Sequence, residues 1–187
     1  MKGTVSLTNH FLIAMPGLAD PNFSRTVTLI CEHSSEGAMG IVINRTTDLH
    51  LRDILKQMDI EAKGAATADI PIHLGGPVQN NRGFVLHEPL GEWESTLPVT
   101  DTLGVSTSRD ILMAIAEDQG PKKCLVALGY AGWGAGQLER EISENSWLSG
   151  PADHDILFNT QPEHRWNAAA ELMGVDLRTL SSEAGHA

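Results

Sequence analysis

The stretch CLVALGYAGWGAGQLEREISENSW, Cys124 to Trp147, decides the fold. Its first five residues, Cys124 to Leu128, are apolar and predict a buried strand. Glycine then recurs from Gly129 onward around Trp133, a density that points to positive φ or close backbone approach at successive positions. Trp133 itself needs burial or a partner. Gln137-Leu138-Glu139 opens a helix whose inward positions are Leu138 and Ile142. Strand, glycine corner and helix follow one another without a linker, so this segment is a built corner or a built site.

Outward from it, short β-branched or apolar runs recur at Phe11–Met15, Thr26–Cys31, Met39–Asn44, Ile70–Leu74, Gly83–His87 and Leu103–Thr107. Leu51, Ile54, Leu55 and Met58 fall at helical spacing behind a Thr47-Asp48 cap. A second helix opens at Ser108-Arg109-Asp110 and ends at Gly120-Pro121. A last one runs from about Pro162 to Met173, stopped by Gly174. Brief turns such as Glu36-Gly37 imply antiparallel pairing, while crossing helices permit some parallel neighbours. Glycines beside strands imply bulges and sharp corners. The expectation is an α+β fold: one domain over residues 1–187, with a mixed, mainly antiparallel, bulged and curved sheet flanked by about four helices. The nearest thing to a linker is Lys63–Ala68.

The chain has 187 residues, 41% hydrophobic and 20% charged, enough to bury one substantial core. The apolar run Phe11–Met15 is too short for a membrane span or a signal segment, so a cytoplasmic protein with no membrane association is expected. Two cysteines, Cys31 and Cys124, make no CxxC pair and are expected to be reduced. A net charge of −11 with scattered basic residues opposes direct binding to DNA.

HFLIAMPGLADPNFSRTV, CEHSSEGAMGIVINR, GGPVQNNRGFVLH, GYAGWGAGQLEREISENSW and MGVDLRTLSSEAGHA, in that order from His10 to Ala187, together resemble the AlgH/YqgE family of bacterial proteins. The resemblance implies a bacterial cytoplasmic setting, a single α/β-type domain and a part in transcriptional regulation linked to alginate production. It implies no settled biochemical activity and no catalytic residue. Thr46 stands where the family pattern has proline, and Thr28 where a larger apolar residue is common.

No cofactor is expected. The glycine-rich turn lacks the Gly-Lys-Ser/Thr ending of a P-loop, and Gln137 stands where GxGxxG needs its third glycine. Glu139 and Glu141 would repel a phosphate at the helix start. No metal is expected either, since His10, His33, His73 and His87 show no ligand spacing. From Ala170 to Leu180 the chain has the spacing of a helix-turn-helix but a single arginine, so a terminal helix packed on the sheet is the better reading.

Cys31 and His33 are the one nucleophile–base pair in view. In an extended strand they share a face roughly 7 Å apart, too far for a direct hydrogen bond without rotation. A buried cysteine beside a strand-end histidine is the commoner arrangement. The remaining motif residues, Asp20, Arg25, Asn44, Arg45, Arg82, His87, Tyr130, Trp133, Gln137 and Glu139, are candidates for a groove that takes a protein or small ligand. The bland reading is a local Asp20–Arg25 ion pair and an Asn44 that satisfies backbone at a turn. The expectation is a non-enzymatic binding protein of regulatory role. The alternative is an enzyme or redox sensor that uses Cys31 or the Tyr130–Glu139 corner.

Overall fold

The computed structural model describes residues 5–179. Along the chain the elements are β1 (His10–Ala14), β2 (Val27–Ser34), β3 (Gly37–Val42), β4 (Thr46–His50), α1 (Leu51–Gln57), α2 (Ala65–Ala68), β5 (Pro71–Leu74), β6 (Val78–Glu88), β7 (Thr96–Pro98), β8 (Gly104–Ser106), α3 (Arg109–Ala116), β9 (Lys123–Gly134), α4 (Gln137–Ser143), β10 (Trp147–Pro151), α5 (His154–Asn159) and α6 (Pro162–Leu172). The strands form one curled sheet in the order β10-β1-β2-β3-β9-β6-β8-β7, with β5 also beside β9 and β4 beyond β5. Every pairing is antiparallel except that of β5 with β9. The α+β class with a mixed, mainly antiparallel sheet is therefore the observed one; among the described residues it carries six helices, where about four were expected, and residues 177–179 are helical as well.

β9 holds the two halves of the sheet together. Through Leu128 it pairs with β6 on one side and β5 on the other, β6 meets it again where Val78 opposes Tyr130, and from Ala131 to Gly134 it pairs with β3. The expected corner at Gly129 is thus a kink inside one long strand. The true corner comes at Gly136, whose φ of +75° caps α4. Gly129, with φ of +79°, is required by crowding as well, because a Cβ there would lie 2.4 Å from the Gly76 carbonyl oxygen.

Other expectations shift for local reasons. Thr47-Asp48 does not cap a helix: these residues belong to β4, where Thr46 opposes His73 and the Thr47 hydroxyl donates to the Ile72 carbonyl at 2.9 Å. The α1 cap is instead His50, whose N–H donates to Asp53 Oδ2 at 2.8 Å. Lys63–Ala68 is no linker, since Lys63 N–H donates to Ala116 O at 2.7 Å and α2 follows.

Three apolar clusters fill the two faces of the sheet. On the face shared by nearly every strand, Phe11, Leu29, Ile41, Leu86 and Leu125 meet Leu157, Trp166 and Ala169 of α5 and α6. On the opposite face Ile72, Val85 and Val126 pack against Leu51, Leu55, Ile111 and Ile115 of α1 and α3. Leu12, Ile30, Trp133 and Trp147 pack against Leu138 of α4.

Thr28 lies wholly buried in β2, and its hydroxyl finds no hydrogen-bond partner among the described residues. A buried polar group of this kind costs stability that an apolar isostere would recover. Thr28→Val is therefore expected to stabilise the protein by about 1 kcal/mol in urea denaturation. A destabilised variant would mean that the hydroxyl is satisfied in solution.

Candidate functional site

At the end of the β3–β9–β6 face that α5 and α6 leave uncovered lies an open groove of about 650 Å³. Met39, Val78, Phe84, Leu97 and Tyr130 make its walls apolar, and Glu32 and Arg82 supply its charges. The Phe84 and Tyr130 rings meet edge to face with centroids 5.6 Å apart. The Arg82 guanidinium lies 5.7 Å from the centre of the Phe84 ring. Arg82 projects from a break in the sheet: Val78 opposes Tyr130 and Gly83 opposes Leu128, so residues 79–82 have no register partner on β9. Arg82 and Tyr130, two of the residues singled out from sequence, meet here, and Trp133 borders the groove.

Behind β9, α4 closes a polar knot on an aromatic core. Trp133 is 6% exposed, with ring centroids 6.2 Å from Phe23 and 6.1 Å from Trp147. Both indole N–H groups donate to one atom, Glu141 Oε1, at 3.0 Å each. Gln137 completes the knot by donating to Glu141 Oε2 and accepting the Gly134 N–H, both at 2.9 Å. Glu141 was not among the site residues expected from sequence. The demand of two buried indoles for an acceptor was the available signal. Glu139 turns elsewhere. Its carboxylate accepts from His33 Nε2 at 3.0 Å, while His33 Nδ1 accepts the Leu7 N–H at 2.9 Å. Its helical backbone N–H holds the Glu139 carboxyl below the usual carboxylate range against partial burial, and His33 adds to that. Tyr130 and Glu139 accordingly lie on different sides of β9 and form no common corner.

Asp20, Arg25 and Asn44 gather at a third place. Asn44 accepts the Val27 N–H and donates to Arg25 O, both at 2.8 Å, which is the backbone-satisfying role of the bland reading. Arg45 donates to Asn22 O and Ser24 O at 2.8 Å each, so the two side chains pin the loop before β2. Asp20 accepts the Asn22 N–H at 2.9 Å, and Arg25 stacks 5.1 Å over Trp166 at the edge of a separate cleft, so the Asp20–Arg25 ion pair of the bland reading does not form. His87 belongs to none of these groups. Fully buried, it bonds Pro89 O at 3.0 Å and the Ser106 hydroxyl at 2.7 Å, and burial lowers its pKa.

A buried pair on the α6 side escaped sequence reasoning. Arg165 donates to Ile43 O, to Thr160 O at 2.9 Å and to His73 Nε2 at 3.0 Å. Burial, then the Arg165 charge, pushes the His73 pKa down to about 4, which keeps the imidazole a neutral acceptor. An arginine in a helix of ordinary polarity offers no sequence signal that it will be interred.

The bulge at Cys31 settles the geometry of the nucleophile pair. Ile30 opposes Gly40 and Glu32 opposes Met39, so Cys31 is the extra residue and the side-chain alternation shifts by one. Cys31 packs into the α5/α6 core, whereas His33 is tied to Glu139 and Leu7. The same-face placement expected for an unbroken strand does not occur. Burial, with Glu32 adding to it, pushes the Cys31 thiol far above its ordinary range, and burial pushes Cys124 up to about 11. In iodoacetamide labelling of the native protein, read by mass spectrometry, Cys124 is expected to react before Cys31 at every pH. Fast labelling near pH 6 confined to Cys31 would contradict this.

Among the described residues no three His, Cys, Asp or Glu side chains gather as metal ligands, and no helix is long and apolar enough to cross a membrane. The sequence profile of the AlgH-like family matches residues 11–178. A UPF0301 protein of Thioalkalivibrio sulfidiphilus is 60% identical over 187 residues, 100% of both chains. One from Methylococcus capsulatus is 57% identical over 180 residues, 96% of each. The solution structure of the AlgH protein from Pseudomonas aeruginosa superposes with a TM-score of 0.80 at 52% identity over 100% of both chains. A Corynebacterium diphtheriae protein shares the fold, with a TM-score of 0.74 at 19% identity over 97% of this chain and 94% of that one.

Proposed function

The chain belongs to the AlgH-like family, and from that premise we propose that it is a non-enzymatic cytoplasmic protein that binds a segment of a partner protein in the β3–β9–β6 groove. On this reading it acts in transcriptional regulation through that partner. The carrying observation is the groove's composition. Methionine, phenylalanine and tyrosine line an open surface around one arginine, all residue types enriched at protein interfaces, tyrosine and arginine being also frequent hot spots. The groove gathers no nucleophile with a base beside it, and the Cys31–His33 pair is split between two faces. Direct reading of DNA is disfavoured by the charge of −11 and by the end of the chain. Ala169, Ala170 and Leu177 are buried in the core, which ties the described part of the helix-turn-helix spacing to the sheet; residues from Leu180 onward lie outside the described range.

The test is selection from a displayed random peptide library, with a Leu97→Asp variant as counter-screen. Enrichment of a shared motif that Leu97→Asp abolishes supports the proposal. Enrichment indifferent to Leu97→Asp, or sequence-dependent DNA binding in gel shifts at near-physiological salt, overturns it.

A further inference from the structure

Arg82 and Glu32 sit in the same groove, and neither is neutralised. Among the described residues the Arg82 guanidinium meets only uncharged partners: Gln79 Oε1 and Thr107 Oγ1, both at 3.3 Å, and the face of Phe84. Glu32 is exposed and joins no ion pair among those residues. A chain with 24 acidic and 13 basic residues has carboxylates to spare, yet the groove arginine has none.

The two charges stand at opposite ends of the apolar floor. Glu32 lies on β2 opposite Met39 of β3, Met39 lies opposite Gly132 of β9, and Arg82 projects from β6, the next strand over. Across the strands three spacings separate them, roughly 14 Å, and Arg82, next to Gly83 opposite Leu128, is also offset along β9 from the Gly132 row. An extended chain covers about 14 Å in four residues, and the long side chains of Arg82 and of a basic residue at Glu32 make up the offset. Residues i, i+2 and i+4 of such a chain point to one side, which places one apolar side chain between two charged ones.

We propose that the occupant of this groove is an extended segment of a partner protein that crosses β2, β3, β9 and β6 with a basic residue at Glu32, an acidic residue four positions away at Arg82, and an apolar residue between them over Met39 and Tyr130. The proposal rests on the groove being the binding face and adds the chemistry of what fills it. The apolar contacts supply most of the affinity, and the charge pair fixes the register and rejects like-charged segments.

The probe is a capped, fluorescein-labelled peptide with lysine and aspartate four positions apart and leucine midway, compared with versions carrying lysine, aspartate or serine at both charged positions. Fluorescence anisotropy gives affinity, and amide chemical shifts of the protein give location. Wild type is expected to prefer the lysine–aspartate peptide, less so as salt is raised. Arg82→Glu should weaken that binding about tenfold and turn the preference to the double-lysine peptide, because attraction is replaced by repulsion. Glu32→Lys should do the same toward the double-aspartate peptide. Both side chains are exposed, so the variants should keep the wild-type circular dichroism spectrum. If the serine peptide binds as tightly as the lysine–aspartate peptide, or the charge reversals leave the ranking unchanged while shifts still fall in the groove, the charge assignment is overturned and the groove reading stands. If no peptide shifts groove residues, both are overturned.

Discussion

Gly76→Ala is expected to prevent folding or to destabilise the protein by more than about 4 kcal/mol, beyond the usual cost of overpacking because the overlap is with fixed backbone. A Cβ at this position would lie 2.1 Å from the carbonyl carbon and oxygen of Tyr130 and 2.4 Å from the Ala131 nitrogen. Those atoms are backbone in the centre of β9, so no rotamer change relieves the overlap. The crossing also shapes the proposed site, because it seats the start of β6 on β9 and so places the unpaired 79–82 segment, with Arg82, at the groove. Gly83→Ala is the control: its Cβ meets nothing within 4 Å, and the variant should lie within about 0.5 kcal/mol of wild type. Equal tolerance of both substitutions would show that the backbone crossing is looser than described.

The second large effect falls at Trp133. Trp133→Ala should cost roughly 3–5 kcal/mol in chemical denaturation, the range for truncating a buried aromatic. It removes a tilted ring contact to Phe23 and an edge-to-face one to Trp147, and takes one of two indole donors from Glu141 Oε1. A loss below about 1 kcal/mol with the fold intact would assign Trp133 to recognition at the surface instead. The expected cost also makes Trp133 a poor probe of binding, which is why Arg82, Glu32 and Leu97 carry those experiments.

What could be read from sequence follows the strength of local pattern. The last helix, opened at Pro162 and stopped by Gly174, stands where helical spacing puts it, and the second opens after Ser108 as expected but ends at Ala116, short of Gly120-Pro121. β4 and β10 escaped because Thr46–His50 and Trp147–Pro151 are polar or glycine-interrupted and become strands by pairing with β5 and β1. The bulge at Cys31 was beyond reach because a register slip belongs to the partner strand as much as to the bulged one. The candidate site was legible in part. Arg82 and Tyr130 were named and do share the groove. Met39, Phe84 and Leu97 carry no local signal that sets them apart from core residues, since nothing local reveals where the helical cover of a sheet ends. Asp20, Arg25 and Asn44 were named with them but hold a loop together, and His87 is interred.

The groove as the binding face is the central claim, and amide chemical-shift mapping with the lysine–aspartate peptide tests it most directly. The predicted result is one contiguous set of shifts at Glu32, Ala38, Met39, Arg82, Phe84 and Tyr130, with Arg25 and Trp166 at the other cleft unmoved. Shifts centred on Arg25 and Trp166, or scattered with no focus between β3 and β6, would contradict it.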